Sequence, residues 1–216
     1  MAKEKETKKQ EERREEAERV VKFQPEIVKL AAEIGSAESA KALTRLSGKN
    51  VKVVATEVKN LELKGVATEL EPLGKQPVIA YAQLLAGVPG ASLLILSREN
   101  TLMLVDLLNE RNIGTTGILQ AADLSAIEET LNVLSNSYMT ALAESLGIKL
   151  GLSAPRVVTA ARIGEIVVEL LKQESKVPLQ AVVFKTSMDI PPHQIKIHLF
   201  VMVSAELEKM VKEIKE

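Results

Sequence analysis

Two glycines 99 residues apart set the frame for this chain. Gly48 and Gly147 each follow a run of apolar residues at helical spacing, and each precedes an extended stretch. Glycine accepts the left-handed backbone that ends a helix, so each reads as a helix stop. At this offset Ala42-Leu43 falls on Ala141-Leu142, and Val51 falls on Leu150. A second stretch matches at an offset of 107. Ala91-Ser-Leu-Leu-Ile-Leu-Ser97, then Glu99, is similar to His198-Leu-Phe-Val-Met-Val-Ser204, then Glu206. Two matches in the same order argue for an internal duplication. A duplicated unit of this kind predicts an α+β fold with pseudo-two-fold symmetry, its long helices covering one face of a mostly antiparallel sheet.

The element order supports two units. Pro25 suits the first turn of a helix. Ile27, Leu30, Ala31, Ile34, Ala42, Leu43 and Leu46 recur near its 3.6-residue period. Residues 51–58, 78–85 and 91–97 read as strands, with hairpin punctuation over 86–90. Gly65, Pro72, Gly74 and Pro77 break the stretch between the first two. Residues 98–110 read as a helix with Leu102, Val105, Leu107 and Leu108 inward, followed by a loop over 112–117. The second unit repeats this. A long helix spans 122–146, a short extended piece 148–152 and an amphipathic helix 160–172. Strands follow over 179–187 and 194–203, and a helix closes the chain over 205–215. The expected organisation is a charged extension over 1–22 and one domain over 23–216, with repeats at 25–110 and 121–215.

Composition excludes several classes. An apolar fraction of 46% is too high for a disordered chain. The absence of Cys excludes a disulfide scaffold and a thiolate metal site. His193 and His198 stand five apart, at the start of and within a predicted strand, so they face opposite sides and no metal site is expected. With 28 basic and 29 acidic residues there is no global field to attract nucleic acid or an anionic membrane. Aromatics are 2% and Trp is absent, so no base-stacking platform is expected. Met103, Met139, Met188, Met202 and Met210 read as core filler. Gly87, Pro89 and Gly90 lack the following Lys-Ser/Thr of a phosphate-binding loop. Residues 1–22 carry eight basic and seven acidic side chains and no apolar centre, unlike a signal peptide. No apolar run approaches the ~18 residues that span a bilayer. A cytoplasmic location is expected.

The long second helix carries the chemistry. Leu124, Ile127, Leu131, Leu134 and Tyr138 form its inward stripe. Ser125, Glu129 and Asn132 lie at i, i+4 and i+7, on one adjacent face. A carboxylate and an amide thus project side by side from a rigid element. Asn132 is unexpected there, because Asn competes for backbone hydrogen bonds and disfavours helix interiors. Such a pair can hold a cation with the carboxylate and a water with the amide.

The run Ser125-x3-Glu129-x2-Asn132-x22-Pro155 resembles the signature of the CheC-type chemotaxis phosphatases, which include CheX and the phosphatase domain of FliY. Gly114-Thr-Thr116 precedes the helix as in that family, and the resemblance covers about residues 25–215. It implies hydrolysis of the aspartyl phosphate of the response regulator CheY. Asn132 would orient the attacking water, and Glu129 would pair with a lysine of the regulator. Ser125 would support the helix start or the rim, and Pro155 would fix chain entry beside the helix. Mg²⁺ would come from the partner, with no intrinsic cofactor. The alternative the resemblance leaves open is a CheC-like adaptor that binds CheD or the flagellar switch. Residues 160–172 occupy the place where family members bind the deamidase CheD. The family's acidic residue there falls on Ala161, which leaves Glu165 or Glu169 for that contact.

The family often carries one site per repeat. At offset 99 the first-half counterparts are Glu26 for Ser125, Leu30 for Glu129, Glu33 for Asn132 and Thr56 for Pro155. Glu33-Ile-Gly-Ser-Ala-Glu-Ser-Ala-Lys-Ala-Leu43 still resembles the family's Asn-Ile-Gly-Ala-Gly-Asn-Ala-Ala-Thr-Ala-Leu. Leu30 lacks charge, however, and Glu33 would set an anion near a phosphoryl group. A shift of three would place Glu33 and Ser36 on the Glu and Asn positions, but it loses the Gly48 match. The first site is therefore expected to be degenerate.

Overall fold

The computed structural model describes residues 25–62, 65, 77–159, 180–204 and 207. In chain order these give α1 (Pro25–Ser47), β1 (Lys52–Glu62), β2 (Val78–Ala86), β3 (Gly90–Leu96), α2 (Arg98–Leu108) and α3 (Ala121–Leu146). Then come β4 (Gly151–Leu152), β5 (Arg156–Thr159), β6 (Gln180–Ile190), a 3-10 turn (Pro191–His193) and β7 (Ile195–Ser204). The seven strands form one sheet in the order β1-β6-β7-β3-β2, with β4 and β5 both on the outer edge of β2. Every pairing among the described strands is antiparallel.

The register makes the pseudo-two-fold symmetry explicit. At the centre β3 pairs with β7, and Leu93 lies opposite Phe200, 107 positions later. The flanking pairs Ser92–Val201 and Leu94–Leu199 exchange under the same offset, so the axis passes through Leu93 and Phe200. At the edges Glu57 lies opposite Lys185 and Arg156 lies opposite Tyr81, so the outer strands β1 and β5 correspond at an offset of 99. The two long helices end alike, because Gly48 (φ 64°) and Gly147 (φ 69°) both take the left-handed conformation. Their amides donate to Thr44 O and Ala143 O, again 99 apart. The helices also cross symmetrically. The Ser39 hydroxyl donates to Leu134 O at 2.9 Å, while the Tyr138 ring packs on Gly35, where a Cβ would stand 3.1 Å from it. Offset 99 turns one contact into the other.

One face of the sheet is covered by helices. Val28, Ala31, Leu43, Leu104, Ile127, Leu131, Leu134 and Leu142 pack there on Ala80, Leu94, Phe184, Leu199 and Val201. Each fully buried Leu, Ile or Val contributes ~1.5–3 kcal/mol. Met139 and Met188 fill this core, Met103 packs at its margin, and Met202 joins a second cluster with Ile79, Leu93, Ile95 and Phe200 on the opposite face. Buried hydroxyls are paired across the helix–sheet boundary: Ser36 with Thr186 and Ser92 with Ser135, each at 2.7 Å.

Three expectations are corrected. Ala31, Ala42 and Leu43 are buried as expected, but Leu30, Ile34 and Leu46 are 57%, 40% and 37% exposed, and α1 buries the small residues Ala32 and Ala40 as well. The close crossing of α1 on α3 explains this, because large side chains would hold the helices apart. Within α2, Val105 is buried and Leu107 and Leu108 pack at the core margin as expected, but Leu102 is half-buried, and Thr101, Leu104 and Asp106 are buried as well. Strand β5 was not anticipated; it is short and follows Pro155. The helix expected over 160–172, its residues Ala161, Glu165 and Glu169, the extension over 1–22 and Met210 lie outside the described residues.

Candidate active site

The start of α3 is built by a buried polar framework. Gln120 is the N-cap, and Asp123 accepts from the Gln120 backbone N–H at 2.8 Å, closing a capping box. Asp123 is fully buried and also accepts from Arg111 (2.8 Å) and Asn109 (3.2 Å). A second buried carboxylate, Asp106 on α2, holds the loop ahead of the helix. It accepts from the backbone N–H groups of Gly114, Thr115 and Thr116 and from both threonine hydroxyls. Burial pushes its carboxyl up, but the Thr116, Gly114 and Thr115 hydrogen bonds outweigh that and hold it below the ordinary carboxylate range. Gly114-Thr-Thr116 thus has a structural role: it supplies donors to Asp106.

On α3, Ile127, Leu131, Leu134 and Tyr138 face the core as expected, and Leu124 is half-buried. Ser125 and Glu129 are exposed, and Asn132 is half-exposed beside them. Ser125 takes no part in the capping box, which Gln120 and Asp123 form. The Asn132 amide N stands 3.5 Å from a Glu129 carboxylate oxygen, at the limit of a hydrogen bond. Glu129 therefore keeps its acceptor capacity for a partner. The Asn136 amide is set more firmly, donating to both Asn132 O and Asn132 Oδ1 at 2.8 Å.

Pro155 lies in the break between β4 and β5, where a missing N–H costs no ladder bond. Two contacts fix this break. Ser153 exchanges hydrogen bonds with the Gln83 backbone at 2.8 and 2.9 Å. The Glu128 carboxylate accepts from the Val157 N–H at 3.1 Å, tying α3 to β5. Thus Glu128 secures the strand edge while its neighbour Glu129 points outward. Sequence reading missed Asp106, Asp123, Glu128 and Asn136. A carboxylate inside an apolar helical run, and a second mid-helix Asn one turn past Asn132, were the available signals.

The first half differs in chemistry. Glu26, Leu30 and Glu33 are all exposed on α1. Thr56, in the place of Pro155, donates its hydroxyl to Ser36 Oγ at 2.9 Å. No carboxylate–amide pair forms there. His193 lies in the 3-10 turn and His198 in β7, where it contacts Ser187 Oγ at 3.1 Å. Among the described residues no group of three His, Asp or Glu side chains is placed to hold a metal ion. None of the described helices is long and apolar enough to cross a membrane.

This sheet, with its pseudo-two-fold pair of crossed helices, is the fold of the CheC-type chemotaxis proteins. In particular, the chain superposes on Thermotoga maritima FliY with a TM-score of 0.64 at 21% identity, covering 87% of this chain and 93% of that one. The middle domain of FliM from Vibrio alginolyticus matches with a TM-score of 0.57 at 10% identity, covering 87% and 99%. The CheX of a CheX–CheY–BeF3–Mg complex from Borrelia burgdorferi matches with a TM-score of 0.51 at 14% identity, covering 80% and 96%. No family model matches the sequence, and no curated protein matches it.

Proposed function

We propose that this chain hydrolyses the aspartyl phosphate of the response regulator CheY, with one active site on α3. The observation that carries the reading is the outward pair Glu129 and Asn132 on a rigid helix whose start and flank are both pinned. An acyl phosphate is already reactive, so no protein nucleophile is required. Water attacks phosphorus in line, the bond from phosphorus to the aspartyl oxygen breaks, and carboxylate and inorganic phosphate leave. Catalysis then needs a positioned water and a fixed docking geometry. Asn132 presents an amide to the water, and Glu129 presents a carboxylate to a lysine of the regulator. Mg²⁺ belongs to the regulator, where it would neutralise charge on the transferring group. The structural likeness to the CheX bound to CheY supports this choice of partner.

A second reading is an adaptor of the flagellar switch or of CheD. It is favoured by Leu30 and Ile34, exposed on α1 where the second half has Glu129 and Val133, and by the likeness to FliM. Phosphate release separates the two. With phosphorylated CheY and Mg²⁺, the chain should accelerate release well beyond spontaneous hydrolysis. Asn132→Ala should lose about 10²-fold or more of that acceleration, in the range seen when one positioned amide is removed. Equal rates for both proteins and for CheY alone would reject the enzyme and leave the adaptor.

A further inference from the structure

We propose that Asn136 is a positioning residue that fixes the side-chain amide of Asn132; this rests on Asn132 acting on the water. Asn132 can rotate about its side-chain bonds, and its two amide ends differ in what they offer a water. The oxygen accepts and the nitrogen donates. A productive site needs one orientation. Glu129 cannot enforce it, since its contact to the Asn132 nitrogen is 3.5 Å long. Asn136 can. Its nitrogen stands 2.8 Å from Asn132 Oδ1 and 2.8 Å from Asn132 O, so its two hydrogens meet two acceptors. That directs the Asn132 oxygen toward Asn136 and its nitrogen toward Glu129. One lone pair of the oxygen and one hydrogen of the nitrogen stay available beside the carboxylate.

Two further observations agree. Asn is a poor residue for a helix interior, and α3 has it twice, at 132 and 136, one turn apart on the exposed side. In the first half the same positions are Leu30, Glu33 and Ala37, so the whole ladder is missing where the site is degenerate. Asn136 also lines a shallow groove with Met139, Thr140 and Ala143, whose counterparts Ala37, Ala40, Lys41 and Thr44 line a groove on α1. The two grooves are lined by corresponding positions, and the difference at 136 is chemical.

The test uses the full chain with phosphorylated CheY and Mg²⁺. Asn136→Ala should lower kcat about three- to tenfold with KM little changed, the loss of one orienting hydrogen bond. Its melting temperature should hold or rise, because Ala favours the helix. Asn136→Asp offers only acceptors when ionised and should turn the Asn132 amide around, so its kcat should fall below that of Asn136→Ala. Asn136→Gln keeps the donor and should recover most of the rate. The Asn132 side-chain NH2 signal in an ¹⁵N spectrum, identified by its loss in Asn132→Ala, should move in Asn136→Ala. If Asn132→Ala is inactive while Asn136→Ala and Asn136→Asp match the wild type in kcat, Asn136 has no positioning role. If the wild type itself does not accelerate release, the proposed activity fails. The NH2 signal then decides alone: an unmoved signal overturns the role of Asn136, and a moved one supports it.

Discussion

Asp106→Asn tests whether the framework ahead of α3 is held by charge. Asp106 is fully buried and accepts three backbone N–H bonds at 2.8, 3.0 and 3.3 Å through one oxygen, while the other faces two threonine hydroxyls. Asparagine fits the same volume. Its oxygen can take the backbone trio, and its nitrogen can meet the hydroxyls, which rotate to accept. What disappears is the charge. A hydrogen bond to a charged group contributes ~1.5–3 kcal/mol against ~0.5–1.5 for a neutral one. Two good bonds and one long one therefore lose about 2–3 kcal/mol, and relief from burying an anion returns part of it. A net cost of about 2 kcal/mol lowers the melting temperature by roughly 4–8 °C in a domain of this size. The assay is thermal unfolding of both proteins from pH 7 into acid. The Asp106 carboxyl sits below its ordinary value near 3.8 in the fold. Its stabilisation is complete above that value and is lost as pH falls through the folded one. The wild-type and Asp106→Asn melting curves should therefore converge in that acid range. Equal melting temperatures at pH 7, or a gap that persists undiminished in acid, would refute the reasoning.

Two further outcomes are expected. Gly87→Ala should cost more than about 2 kcal/mol, read as a lower denaturation midpoint, because φ is +87° and the new Cβ would stand 2.2 Å from Lys149 O. A midpoint equal to the wild type would contradict the hairpin geometry. Glu33→Ala should leave phosphate release nearly unchanged, since Glu33 is exposed on a face with no partner amide; a large loss would show that the first helix takes part in catalysis.

The parts of this architecture that obey a simple period were legible in the sequence. Gly48 and Gly147 announced both helix ends because only a left-handed residue closes such a turn. Ala91–Ser97 and His198–Ser204 announced the central strands because both are buried on two faces and read as continuous apolar runs. Leu30, Ile34 and Leu46 of α1 were misread because helical spacing alone does not tell an inward Ala from an outward Leu. At a close crossing the small residue goes inside, as Ala31 and Ala40 do and Leu30 does not. Strand β5 was hidden because two strands share one edge of β2 across a proline break. On α3, Glu129 and Asn132 stand side by side on an outward face, as their spacing implies. Asp106, Asp123, Glu128 and Asn136 were not legible, because their roles depend on partners distant in sequence or on the orientation of an amide.

The edge pairings carry a consequence for how such a chain is inherited. Strand β1 of the first half lies on β6 of the second, and β5 of the second lies on β2 of the first. Each half lends its outer strand to the other's hairpin, so neither half holds a complete sheet. The late arrival of these distant pairs should make folding slow. It also separates two kinds of selection. Exposed positions on the outer face of α1, such as Leu30 and Ile34, can vary at little cost to the fold. The strand β2 of the same half cannot be lost, because it is the ledge on which the Pro155 segment rests. Whatever its own helix presents to solvent, the first half serves as the second half's foundation.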